Sequence, residues 1–146
     1  MPTQRTRKPI ILVIDDYRDS REMLKLLLES LNYRVLEAAN GHEALALAAS
    51  NHLDLILTDF GLPDMEGSSV VQRLRKLNDR LRHVPIIMLT ALDGEEYYYR
   101  ALSAGCTDFL TKPLDFKSLE ALIERLLRET HDDREDTPNG VQLRES

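Results

Sequence analysis

What this chain lacks narrows it first. It has one cysteine, Cys106, so no internal disulfide can form, and a lone thiol fits a reducing compartment. No apolar run approaches the ~20 residues that cross a bilayer, and the N-terminus lacks the apolar stretch of a secretory signal. No extended basic run is present and the formal charge is -6, which argues against a nucleic-acid surface. Arg5, Arg7 and Lys8 form only a short cationic patch, read as a solvated lead-in. There is no internal repeat, and 146 residues bury one core but not two. The expectation is a soluble, cytoplasmic, single-domain protein without direct nucleic-acid or membrane contact.

What is present is a regular alternation. Apolar runs at Ile10 to Ile14, Tyr33 to Ala38, Leu53 to Leu57, Pro85 to Leu89 and Cys106 to Leu110 are each followed by a stretch with helical period. That pattern predicts an α/β fold whose parallel sheet is covered on both faces. Asp19 or Ser20 is expected to cap a first helix with an apolar stripe of Met23, Leu24, Leu27, Leu28 and Leu31, stopping at Asn32. A second helix should begin near Gly41, and a third should use Val70, Val71, Leu74 and Leu77. A fourth is expected from about Asp93 to Ser103, closing at Gly105. The last has the clearest stripe, Leu119, Leu122, Ile123, Leu126 and Leu127. The domain is placed at 9–129, after a flexible lead-in of 1–8, with a charged, proline- and glycine-containing tail of 130–146 expected to be disordered.

Four of the five runs stop at groups that handle phosphate and metal: Asp15 with Asp16, Asp59, Thr90 and Lys112. Singly, each has a structural alternative, as a helix cap for the acids and Thr90 or as a Lys-Pro turn for Lys112. In a parallel sheet, however, strand ends share one edge, and ligands bind there where the strand order reverses. Asp59 can act as a nucleophile toward phosphorus, giving an acyl phosphate. Two adjacent acids near a third are costly unless a cation binds, and Mg²⁺ suits hard oxygen ligands beside a phosphate. Lys112 offers a flexible point charge and Thr90 a hydroxyl donor.

The set Ile-Leu-Val-Ile-Asp-Asp16, Leu-Thr-Asp59 with Pro63 and Gly67, Met-Leu-Thr90-Ala, and Phe109-Leu-Thr-Lys112-Pro resembles the receiver domain of two-component response regulators, across about Pro9 to Arg128. It is similar to the single-domain chemotaxis-type members. The resemblance implies a flavodoxin-like (βα)5 doubly wound parallel sheet of strand order 2-1-3-4-5. It implies that Asp59 is the phosphoacceptor, that Asp16 binds Mg²⁺ directly with Asp15 assisting, and that Gly61 contributes its backbone carbonyl. Thr90 and Lys112 would contact the phosphoryl group, and Phe109 would be the rotating aromatic of the switch.

The implied partners are a sensor histidine kinase or phosphotransfer protein and a downstream protein bound by the fourth helix, fifth strand and fifth helix. Tyr98, within the run Tyr97 to Tyr99, is the expected contact on that surface, and the implied state is a monomer or phosphorylation-dependent dimer. Gly61 and Leu92 offer no side chain to orient water, which predicts a long-lived acyl phosphate. No output domain follows Arg128, so a stand-alone switch is expected, catalysing only its own phosphorylation and dephosphorylation. The alternatives are a receiver excised from a hybrid kinase or larger regulator, a receiver used only for docking, and a Mg²⁺-dependent aspartyl-phosphate phosphohydrolase. A flavodoxin-like cofactor is disfavoured, because acids end the first strand where a phosphate-cradling glycine loop would be expected.

Overall fold

In the computed structural model, which describes residues 7–91 and 102–144, apolar runs and amphipathic stretches alternate as strands and helices. The strands are β1 (Ile10–Ile14), β2 (Arg34–Ala38), β3 (Leu55–Asp59), β4 (Ile86–Thr90) and β5 (Asp108–Thr111). Between them lie α1 (Arg18–Ser30), α2 (Gly41–Ser50), α3 (Gly67–Leu77) and a single 3₁₀ turn at Arg80–Arg82. The expected helix from 93 to 103, with Leu92 and Tyr97 to Tyr99, lies outside the described residues except for its end at 102–104. There Gly105, at a φ of 111°, donates its N–H to the Leu102 carbonyl as the expected stop.

The strands form one sheet in the order β2-β1-β3-β4-β5, and every pairing is parallel. β3 and β4 are buried along their whole length, and β1 is buried from Ile11 onward. That two-sided burial is why they read as continuous apolar runs rather than as alternation. Leu12, Ile14, Ile56, Ile86 and Met88 face a core completed by Ala44 and Ala48 of α2 and Val70, Val71 and Leu74 of α3. The two alanines let α2 approach closely.

Three strands end later than the apolar runs predict. β3 ends at Asp59 rather than Leu57 and β4 at Thr90 rather than Leu89, because ladder hydrogen bonds depend on the backbone and not on side-chain polarity. Asp59 is in register with Leu89, and Thr90 with Thr111. β5 also begins later, at Asp108. Just before it, the Thr107 hydroxyl accepts the Ile86 N–H at 3.0 Å, so a side chain stands in for a ladder partner.

α1 departs from expectation at its start. Its cap position is Tyr17, without a side-chain cap bond, and the Asp15 carboxylate accepts the Tyr17 N–H at 2.9 Å. Within the expected stripe Leu24 and Leu28 are buried, whereas Met23 is 52% exposed. The expected stop holds, with Asn32 at a φ of 75°. In α3, Leu77 is exposed while the other three apolar positions are buried. Arg7, placed in the lead-in, pairs with Asp54 at 3.0 Å.

The chain divides into two compact units, Met1–Pro113 and Leu114–Ser146. The second is a helix, Phe116–Arg144, in which Leu119, Leu122, Ile123 and Leu126 are buried. It continues past Thr130, where the sequence suggests irregular structure.

Arg75 ties together the lower edge of the first unit. Its Nη1 donates to the Leu81 and Val84 carbonyls at 2.9 and 2.5 Å, and its Nε and Nη2 donate to the Gly105 carbonyl at 3.0 and 2.8 Å. One rigid guanidinium thus joins α3 to the starts of β4 and β5. Arg75→Ala would strand three carbonyls and is expected to cost about 2–4 kcal/mol in urea unfolding, with Arg75→Lys recovering only part. A loss below about 1 kcal/mol would contradict this role.

Candidate functional site

The strand order fixes where the polar strand ends meet. The chain passes from β1 to β2 on one side and returns to β3 on the other, leaving a crevice at the carboxyl ends of β1 and β3. Asp15 and Asp16 follow β1, Asp59 ends β3, Thr90 ends β4 and Lys112 follows β5. Each acid of the set offers a carboxylate oxygen, and these atoms lie within 4.8 Å of one another. Asp15 and Asp59 are 2% and 8% exposed, while Asp16 opens to solvent.

Local structure holds each group. The Asp15 N–H donates to the Ala38 carbonyl at 3.0 Å. Arg21 of α1 donates to the Asp15 carbonyl at 2.8 Å and to Glu37 of β2 at 3.1 Å, with Lys25 joining Glu37 at 3.5 Å. Beyond Asp59, the Phe60 N–H reaches the Leu89 carbonyl, and Gly67 returns to donate to the Phe60 carbonyl at 2.5 Å. A Cβ on Gly67 would lie 2.3 Å from the Asp59 carbonyl oxygen; only glycine permits that approach. The Lys112 N–H donates to the Thr90 carbonyl at 2.8 Å, joining the ends of β4 and β5. The Lys112–Pro113 peptide is cis.

Lys112 Nζ lies 2.6 Å from Asp59 Oδ1. Apart from that ammonium, this buried oxygen has no hydrogen-bond partner among the described residues. Burial pushes the Asp59 carboxyl up to about 6; Lys112 opposes that shift and the nearby Asp15 charge adds to it. Among the described residues the site is therefore short of positive charge, with one amine against three acids. An all-oxygen donor set around an undersatisfied carboxylate fits a hard divalent cation such as Mg²⁺.

The remaining expected residues differ in placement. Phe109 is half-buried, packs against the core and stands in register with Met88. Gly61 is exposed and forms an antiparallel bridge with Glu66. Tyr98 and Leu92 lie outside the described residues. Two groups were missed by sequence reasoning. Arg21 gives no local signal, because its partners come from β1 and β2. Asp64 stands in the loop between β3 and α3, and its partners, Gly41 and His42, lie in α2.

Comparison with known proteins extends the geometry. The model of the response regulator receiver domain matches residues 11–124. The probable transcriptional regulator ycf27 of Porphyridium aerugineum is 41% identical over 122 residues, covering 84% of this chain and 49% of its own. This chain thus spans about half the length of that curated relative. The CheY-like receiver domain protein of Methanospirillum hungatei superposes with a TM-score of 0.81 at 30% identity, over 86% of this chain and 98% of that one. The receiver domain of sensor histidine kinase PA1611 of Pseudomonas aeruginosa, solved with a magnesium ion coordinated in its active-site cleft, gives 0.76 at 32% identity, over 82% and 98%. Sharing this sheet and matched over most of its length, the chain belongs to the response regulator receiver domain family of two-component signalling proteins.

Proposed function

We propose that Asp59 accepts a phosphoryl group from a phosphohistidine of a sensor kinase or phosphotransfer protein, and that Lys112 and Thr90 convert its arrival into a change of protein affinity. The observation that carries this reading is the Asp59 carboxylate, buried at the end of a central strand with Lys112 Nζ at 2.6 Å.

Asp59 attacks phosphorus in line; the new O–P bond forms as the P–N bond to the donor imidazole breaks, and the electron pair leaves with the imidazole. Lys112, already on Asp59 Oδ1, exchanges that carboxylate for a phosphoryl oxygen as charge moves outward. Thr90 supplies a hydroxyl to a second oxygen. Asp15, Asp16, Asp59 and the Gly61 carbonyl would hold Mg²⁺, with Asp15 in an assisting role. Bound there, the ion offsets the negative charge of the acids and of the phosphoryl oxygens. Phe109 follows Thr90 inward and so alters affinity for a downstream protein, with Tyr98 as the contact residue.

The direct test is incubation with acetyl phosphate and Mg²⁺. Wild type is expected to gain an acid-stable, base-labile phosphoryl group that Asp59→Asn does not gain; labelling of Asp59→Asn at the wild-type level would refute the assignment. Since Gly61 has no side chain to orient water, the acyl phosphate should be long-lived. Leu92→Glu should then accelerate dephosphorylation, measured by phosphate release, and an unchanged rate would exclude Leu92.

The raised carboxyl of Asp59 also predicts a pH dependence. A proton binds the folded state more tightly than the unfolded one, so the stability linked to protonated Asp59 is full below about 4 and is lost as pH rises through about 6. Metal-free Asp59→Asn should therefore match wild type near pH 4 and exceed it by about 1–3 kcal/mol at pH 7. Denaturant unfolding across that range checks the sign, and added Mg²⁺ should narrow the gap.

A further inference from the structure

The loop between β3 and α3 is closed at its base by the Gly61–Glu66 bridge and by the Gly67 N–H on the Phe60 carbonyl. At its tip Pro63 and Asp64 are exposed, while Leu62 and Met65 on either side pack against the core. The tip is fastened to a different helix. Asp64 Oδ1 accepts the Gly41 N–H at 2.8 Å; Oδ2 accepts the His42 N–H at 2.9 Å and lies 2.5 Å from His42 Nδ1. Asn40 Oδ1 takes the Glu43 N–H at 2.8 Å. Two of the first three N–H groups of α2 are thus capped by a residue from the acceptor loop.

The neighbouring residue completes the fastening. Met65 lies against Gly41, where a Cβ would come within 2.7 Å of Met65 Cγ. α2 is a firm anchor, because Gly41, Ala44 and Ala48 are buried. The Gly41 and His42 N–H groups and the His42 ring hold the Asp64 carboxyl down at about 2, so the carboxylate stays ionised near neutral pH.

We propose that Asp64 is a positioning residue for the metal site: clamping the loop tip to the N-terminus of α2, it sets where the Gly61 carbonyl stands relative to Asp59. This rests on the assignment of Gly61 and the three acids as the Mg²⁺ ligands. The clamp acts on the backbone and touches neither the ion nor the phosphoryl group.

The test compares Asp64→Ala, Asp64→Asn, His42→Ala and Asn40→Ala in the full chain. It uses thermal melting without metal, calorimetric titration with MgCl₂, and acetyl-phosphate labelling at saturating Mg²⁺. Asn40→Ala removes the other side-chain cap of α2 without touching the loop, so it controls for helix stability alone. Asp64→Ala should weaken Mg²⁺ binding about tenfold, Asp64→Asn less, and Asn40→Ala and His42→Ala by no more than about twofold. If Asp64→Ala does not fold, Asp64→Asn carries the same comparison. Unchanged Mg²⁺ affinity in the Asp64 variants, or an equal loss in Asn40→Ala, would overturn the clamp. Failure of wild type to bind Mg²⁺ would overturn the ligand assignment itself, and the clamp with it.

Discussion

A carboxylate buried at the end of the innermost strand, beside two more acids and within 2.6 Å of one amine, is the constraint that organises the upper edge of this molecule. Like charges so close are expensive to desolvate, and burial already lifts the Asp59 carboxyl to about 6. The fold tolerates this local cost because the strands beneath are packed on both faces, with Ile11, Leu12, Leu55, Ile56, Leu57, Ile86, Ile87 and Met88 excluded from solvent. Stability made in the sheet thus offsets the cost of charge gathered at its edge, where a bound cation would relieve the excess of negative charge.

The supporting contacts fix backbone more than side chains. Arg21 grips the Asp15 carbonyl, Lys112 is tied to β4 through its own N–H, and Gly67 brings the acceptor loop back onto Phe60. Each leaves the chemically active atoms exposed to one another while restricting where they stand. Lys112 keeps a third of its side chain in solvent, so the ammonium can exchange one oxygen partner for another without leaving its site.

The gathering of polar groups at one sheet edge was the legible part of the sequence. Asp15, Asp59, Thr90 and Lys112 interrupt or follow apolar runs, and an all-parallel sheet has only one edge on which such residues can gather. What periodicity could not show were contacts made by backbone atoms or between distant segments. Asp59 and Thr90 belong to their strands because the ladder continues through them, which an apolar count misses. Tyr17 starts α1 through a bond to Asp15 rather than with its own side chain, whereas the residue types with capping side chains are Asp19 and Ser20, inside the helix. Asp64 bonds N–H groups 22 and 23 residues away and Arg75 bonds the Gly105 carbonyl 30 residues away, and no local pattern encodes that. Edge position does not by itself decide which strands contribute: β2 gives no site residue, whereas β5, the other edge, is followed by Lys112.

The most direct measurement is a crystal structure of the protein with Mg²⁺ and beryllofluoride, which mimics an acyl phosphate. The beryllium should be bonded to an Asp59 carboxylate oxygen, with Lys112 Nζ moved onto one fluorine, the Thr90 hydroxyl on another, and the ion held by the acids with the Gly61 carbonyl. A beryllofluoride bound elsewhere, with Lys112 still paired to a free Asp59 carboxylate, would contradict the account.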